Sequence, residues 1–258
     1  DIGSARQHIN MLFFKFEDDA AGRRIADALI RKSEEGVLVR LIYDDAGNLM
    51  VPRRFYRKLR KHGIQVRGFI RIFLPILSRD YNSRNHRKVV VIDGRVGYMG
   101  GMNIAQRYAE GLKWGIWRDT HMRITGPAVS ELQTSFLTDW KFTKGDEPDL
   151  APMYPYNPPC GNTLMQIVTG GPMDKWNVMM QAYMTAIASA RHHAYLQSPY
   201  FIPPEPIMKT LQNAALSGVD VRVMIPYRGD KGVLPPWASR SYFKEALNAG
   251  IRIYLYRK

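Results

Sequence analysis

A chain of 258 residues, 45% of them hydrophobic, can bury enough core for one large or two medium domains, which excludes a disordered or fibrous polypeptide. Lys and Arg outnumber Asp and Glu by 37 to 23, a formal charge of +14, so the partners it favours are anions: nucleic acid, an anionic bilayer or a phosphorylated substrate. The single Cys160 excludes an internal disulfide and a thiolate metal cluster, and no run reaches the roughly 18 to 20 apolar residues of a membrane span.

The first residue is Asp1, and residues 1–6 read as part of a helix already under way, so the sequence is expected to be an excerpt of a longer protein. Short apolar runs then alternate with amphipathic segments, the pattern of an α/β fold whose strands are buried on both faces. A strand over residues 9–16 precedes a helix over 21–33, which Gly36 ends. A strand over 37–43 follows, then a helix over 53–61 closed by Gly63, then a strand over 64–69. Two more strands are expected at 88–92 and 96–99, and helical character at 103–108 and 129–142. Pro148, Pro152, Pro155, Pro158 and Pro159 crowd residues 145–161, which therefore read as a linker or long surface connection.

Beyond this break the pattern starts again. Glu35-Gly36-Val37 to Asp44 has a counterpart in Ser217-Gly218-Val219 to Pro226, and Gly63-Ile64-Gln65-Val66 has one in Gly250-Ile251-Arg252-Ile253. Helix-Gly-strand units look alike in any α/β protein, but two pairs in matched order favour two similar α/β domains. Each is expected as a mostly parallel sheet flanked by helices: residues 1–144, the linker 145–161, and an incomplete 162–258.

The chemistry concentrates after the third strand, in His86-Arg87-Lys88 to Asp93-Gly94 and on to Gly100-Gly101-Met102-Asn103. Residues two apart on a strand share a face, so His86 and Lys88 project together. An imidazole beside an ammonium suits attack on a phosphodiester, the ring as nucleophile and the cation offsetting charge on the non-bridging oxygens. Gly100 and Gly101 carry no side chain to hold a phosphate off the backbone, and Asn103 adds an amide donor. A bare His-x-Lys is more often a core histidine beside a snorkelling lysine; six positions on one spacing, H-x-K-x4-D-x6-G-G-x-N, favour function.

This spacing resembles the HKD motif of the phospholipase D superfamily, in His86, Lys88 and Asp93 with Gly100, Gly101 and Asn103 as its extension. Asn85-His86-Arg87-Lys88, Trp117-Arg118-Asp119-Thr120-His121, Gly126-Pro127-Ala128-Val129 and Ser198-Pro199-Tyr200-Phe201-Ile202-Pro203 look most like the bacterial cardiolipin synthases. The resemblance implies two displacements without a metal or other cofactor. A histidine attacks phosphorus to form a phosphatidyl-histidine while a second histidine protonates the leaving alcohol, and an incoming alcohol then reverses the step. Two phosphatidylglycerol molecules would give cardiolipin and glycerol. The implied setting is the bacterial inner membrane, with the anchor outside this chain, anionic phospholipid as partner and nucleic acid disfavoured. The His-x-Lys-x4-Asp pattern occurs once, and His192 and His193 open a strand instead, so a second motif supplying the acid is expected beyond Lys258.

The candidate catalytic set is thus His86, Lys88, Asp93, Asn103 and Asp119. Asp93 belongs by motif membership and reads as structural; Asp119 reads either as the group holding the second ring nitrogen of His86 or as an ordinary solvated aspartate. Gly100, Gly101, Tyr43 and Tyr200 are candidate substrate contacts, the tyrosines, with Asp44 and Tyr227, because they follow strands at the edge where α/β folds bind ligands. Arg53, Arg54, Arg57, Lys58, Arg60 and Lys61 form a solvated basic face or a dock for anionic headgroups, and the apolar run 69–77 is either core or a loop that dips into a bilayer. A hydrolase of the same superfamily, a non-catalytic anion-binding protein, and a homodimer pairing two His86 motifs are the competing expectations.

Overall fold

The computed structural model describes residues 1–70, 84–112, 115–171, 175–228 and 234–257, the side chains of 234–236 excepted. Most of the apolar run 69–77 lies outside the described residues. Contacts divide the chain into two α/β units, Asp1–Ile167 and Val168–Lys258.

In the first unit, β1 (His8–Phe13), β2 (Leu38–Asp44) and β3 (Gln65–Phe69) are parallel, with α1 (Ala20–Glu34) and α2 (Arg53–Lys61) as crossovers. Every side chain of β1 is buried, as a strand covered on both faces requires. Asp19 caps α1 by accepting the Gly22 N–H, and Gly36 and Gly63 leave the two helices at φ +87° and +82°, where a side chain would be strained. The sheet continues on the other side of β1 as an antiparallel run of β4 (Lys88–Ile92), β5 (Val96–Gly100) and β6 (His121–Thr125), in the order β3-β2-β1-β4-β5-β6. A short α3 (Gln106–Glu110) and a long α4 (Ala128–Phe142) complete it, α4 burying Val129, Leu132, Phe136 and Trp140 against Leu12, Ile42 and Val91.

The proline-rich segment goes with this unit by contact. Asp146 pairs with the guanidinium of Arg40 and accepts the Trp140 indole N–H, Met153 is buried, and Asn157 donates to the Gly94 carbonyl. The segment lies against the first unit, which extends to Ile167.

The second unit has α5 (Val178–Ala188) followed by β7 (His193–Gln197), α6 (Glu205–Leu216), β8 (Asp220–Pro226), α7 (Leu234–Ser241), α8 (Phe243–Asn248) and β9 (Arg252–Tyr256). Its three strands are parallel in the order β7-β8-β9, with Leu211, Val221, Val223 and Ile251 in the core. The strand-helix-strand-helix-strand order of β1 to β3 therefore recurs, and His193 opens β7 as expected.

Candidate active site

Because β4 runs antiparallel to β1, with Lys88 opposite Phe13, the residues just before β4 emerge at the same sheet edge as the C-terminal ends of β1 and β2. His86 lies there, exposed, two residues ahead of buried Lys88. The Lys88 ammonium stands 3.1 Å from His86 Nδ1 and donates to the His86 carbonyl oxygen at 2.6 Å. Phe14, the first residue beyond β1, packs its ring 4.7 Å from the imidazole centroid and 5.5 Å from the lysine nitrogen. The expected pairing of His86 with Lys88 is present, and an aromatic floor fixes it.

Four residues that spacing did not single out together hold the backbone entering this site. Asp44, 1% exposed at the end of β2, accepts the N–H groups of Ala46 and Gly47 on one oxygen and that of Asn85 on the other. The Asn85 side chain accepts the Arg87 N–H and donates to Asp139 on α4, which also receives the Arg87 guanidinium at 3.0 Å. Both residues flanking His86 are thereby tied to buried carboxylates. Burial pushes the Asp44 carboxyl above its ordinary range against the N–H bonds of Gly47, Asn85 and Ala46, and pushes Asp139 up against the charge and bonds of Arg87 and Asn85. These side chains lie on different elements and meet only in three dimensions. Asn85 was visible in the sequence solely as the neighbour of His86.

Asp93 sits at the opposite end of β4 from His86. Its carboxylate accepts the backbone N–H groups of Arg6, Gln7 and His8 at 2.8, 2.8 and 2.9 Å, and its φ of +52° lies beside Gly94 at +61° in the turn between β4 and β5. It pins the entry of β1 to the exit of β4, so its place is structural and not among the reacting groups.

The glycine pair packs against residues 119–121. A Cβ on Gly100 would fall 2.4 Å from the Thr120 carbonyl oxygen and 2.5 Å from the His121 Cα, and one on Gly101 would fall 2.0 Å from an Asp119 carboxylate oxygen. The space their missing side chains leave is taken by residues 119–121, and the Gly101 N–H is already given to the Thr120 carbonyl. Asp119 correspondingly accepts the Thr120 N–H and packs over Gly101; among the described residues no hydrogen bond joins it to His86. Asn103 accepts the Lys15 N–H and donates to the Tyr108 hydroxyl, so it anchors the segment that carries Phe14. Tyr43 stacks on Tyr56 at 3.9 Å, inside the first unit's packing. Tyr200 belongs to the second unit, where its backbone closes a turn with the Ser198 hydroxyl.

A second histidine also lies near the site. The Nδ1 of His121 is buried without a hydrogen-bond partner among the described residues and lies 2.7 Å from where a Gly100 Cβ would be. Burial pulls its pKa below the ordinary value; the nearby Asp119 charge opposes this, and the Lys88 charge adds to it. The only sequence signal for it was its place in the Trp117 to His121 segment. Among the described residues no group of three His, Cys, Asp or Glu side chains is placed to hold a metal, and no helix is long and apolar enough to cross a membrane.

A family model described as cardiolipin synthase, PLD-like domain, matches residues 1–140 and 183–258. Cardiolipin synthase 2 of Bacillus cereus is 43% identical over 98% of this chain and 50% of its own length, and the major cardiolipin synthase ClsA of Bacillus subtilis is 40% identical over 99% and 54%. The chain spans about half the length of the curated relatives it matches. Among solved structures, a phosphatidylserine synthase of Haemophilus influenzae superposes with a TM-score of 0.65 over 100% of this chain and 69% of that one at 16% identity, a likeness of fold.

Proposed function

The chain belongs to the cardiolipin synthase, PLD-like domain family, and from that membership we propose that it carries one half of a phosphatidyl-transfer site acting on anionic glycerophospholipid at a membrane surface. The observation that carries the proposal is the His86–Lys88 pair, 3.1 Å apart at the sheet edge and braced by Asp44, Asn85 and Asp139. His86 is the nucleophile: a ring nitrogen bonds to the phosphorus of phosphatidylglycerol, the bond from phosphorus to the glycerol oxygen breaks, and that oxygen takes a proton from an acid. Lys88 turns from His86 to the non-bridging oxygens as negative charge grows there. The hydroxyl of a second phosphatidylglycerol then attacks the phosphatidyl-histidine, gives its proton to the group that served as acid, and restores His86. Products are cardiolipin and glycerol. We place the acid on a second His-x-Lys-x4-Asp motif in the other half of the full-length protein, since the pattern occurs once here.

Incubating the full-length protein with phosphatidylglycerol tests this. Cardiolipin and glycerol in equal amounts, lost in His86→Ala, are expected; phosphatidic acid alone would make the protein a hydrolase, and an active His86→Ala would remove the proposed nucleophile.

A further inference from the structure

The turn that follows β2 is built rigidly yet ends in apolar side chains that face solvent. Asp44 accepts two of its N–H groups, while Asn48 donates to the carbonyls of Phe14 and Asp44 and accepts the Phe16 N–H. Gly47 lies so close to Phe14 that a Cβ there would fall 2.2 Å from the Phe14 carbonyl oxygen. Directly beyond this anchored base, Met50 is 95% and Leu49 53% exposed. Two adjacent apolar side chains thus stand in water on a firmly held base.

Helix α2 begins three residues after Met50. It buries Phe55, Tyr56 and Leu59, and at 100° per residue the opposite side is centred on Arg54, Arg57 and Lys61. All three are exposed, and none makes an ion pair among the described residues. Asp27 is paired with Lys58, and Glu34 hydrogen-bonds the His62 ring. An apolar tip beside a row of cations with no ion-pair partner among the described residues matches an anionic bilayer, whose headgroups take the charge and whose acyl boundary takes the tip.

The tip is also tied to the catalytic edge. Asp44 bonds both the turn and the Asn85 N–H beside His86, and Asn48 bonds the carbonyl of Phe14, whose ring lies on His86. We propose that Leu49 and Met50, with Arg54, Arg57 and Lys61, form a docking surface that seats the first unit on an anionic membrane with the His86 edge towards the lipid.

This surface rests on the phospholipid-substrate reading, and the two are tested separately. Binding of the chain is measured by co-sedimentation with phosphatidylcholine vesicles made with and without phosphatidylglycerol, thermal melts confirming that each variant folds. The chain should bind the anionic vesicles preferentially, and Lys209→Gln, at an exposed cation of the second unit, should bind as the unsubstituted chain does. Replacing Arg54, Arg57 and Lys61 together by Gln should weaken binding by roughly a hundredfold through loss of three surface cations. Leu49→Ser with Met50→Ser should weaken it by roughly tenfold, a loss that persists at salt concentrations that screen the charges. Equal binding to both vesicle types, or variants that bind like the unsubstituted chain, would overturn the surface. So would loss of duplex nucleic acid binding in the Gln variant with vesicle binding intact. Vesicle binding by the chain, with no phosphatidyl transfer by the full-length protein, would instead overturn the reaction and leave the docking surface standing.

Discussion

Replacing Asp93 separates structure from chemistry within the His-Lys-Asp motif. Its carboxylate accepts three backbone N–H groups, two near the surface and one on buried His8. A charge-assisted bond to a buried donor contributes about 1.5–2 kcal/mol and each exposed one about 0.5–1, so losing all three costs roughly 3 kcal/mol. At φ +52° a Cβ without a polar side chain adds about 1 kcal/mol. Asp93→Ala is therefore expected to lose roughly 4 kcal/mol and Asp93→Gly roughly 3, whereas Asp93→Asn, which keeps an acceptor and tolerates the left-handed backbone, loses about 1–2. Urea unfolding followed through Trp140, which is 1% exposed, measures the series, and amide exchange at Arg6, Gln7 and His8 locates the loss. Phosphatidyl-histidine formation should survive in whatever fraction stays folded. An Asp93→Asn protein of undiminished stability that no longer labels at His86 would refute a structural Asp93, as would Ala and Gly variants as stable as the parent.

The glycine pair should split. Gly100→Ala drives a Cβ into the backbone of Thr120 and His121 and is expected to destabilise by about 2–3 kcal/mol or more, whereas the atoms nearest a Gly101 Cβ belong to the exposed Asp119 carboxylate, which can swing away for about 1 kcal/mol; comparable melting temperatures for the two would contradict this. Asp139→Ala strips Asn85 and Arg87 of their shared partner and should cost about 2–3 kcal/mol and slow transfer at His86, with Asp139→Asn recovering part of both, measured by denaturation and single-turnover labelling. The pH dependence follows from two histidines. Burial lowers the pKa of His8, against the Asp93 charge, and lowers that of His121. The unfolded chain thus binds more protons as pH falls below the ordinary histidine value of about 6.5, so stability declines from there towards the depressed folded values. The raised carboxyls of Asp44 and Asp139 act in the opposite sense, the folded state binding more protons as pH approaches the ordinary aspartate range from above. Melts between pH 7.5 and 5.5 should show the histidine decline, and His8→Asn with His121→Asn should remove it; a slope unchanged by those substitutions would mean that neither ring is held neutral by the fold.

What could be read in advance follows the range of the forces involved. Helix α2 and strand β4 have the bounds their sequences predict, since a basic amphipathic run ended by glycine and a continuous apolar run are local signals. Strand β1 stops three residues short of its expected end because Lys15 and Phe16 give their N–H groups to Asn103 and Asn48, partners 88 and 32 residues away. The same pairing draws residues 103 and 104 into contact with 15–17 and delays α3 to Gln106. Strand β6 gave no signal at all: it is an edge strand with Ile124 alone buried, too little apolar patterning to read.

The candidate site divides the same way. His86 and Lys88 meet two residues apart where the chain enters β4, a nearness that spacing alone can express. The roles of Gly100, Gly101 and Asp119 turned on what occupies the space beside β5, and that is residues 119–121, brought there by a strand the sequence did not reveal. Asp44 is the clearest case. From the sequence it was a residue at a strand end, open to ligand; in the fold it is buried and its two oxygens join the turn carrying Leu49 and Met50 to the backbone beside His86. Buried and already accepting three backbone N–H groups, this carboxylate is committed to the fold and not open to ligand. Its contribution is to hold the proposed nucleophile and the proposed lipid-facing tip in fixed relation, so that one binding event on a bilayer would also aim the chemistry.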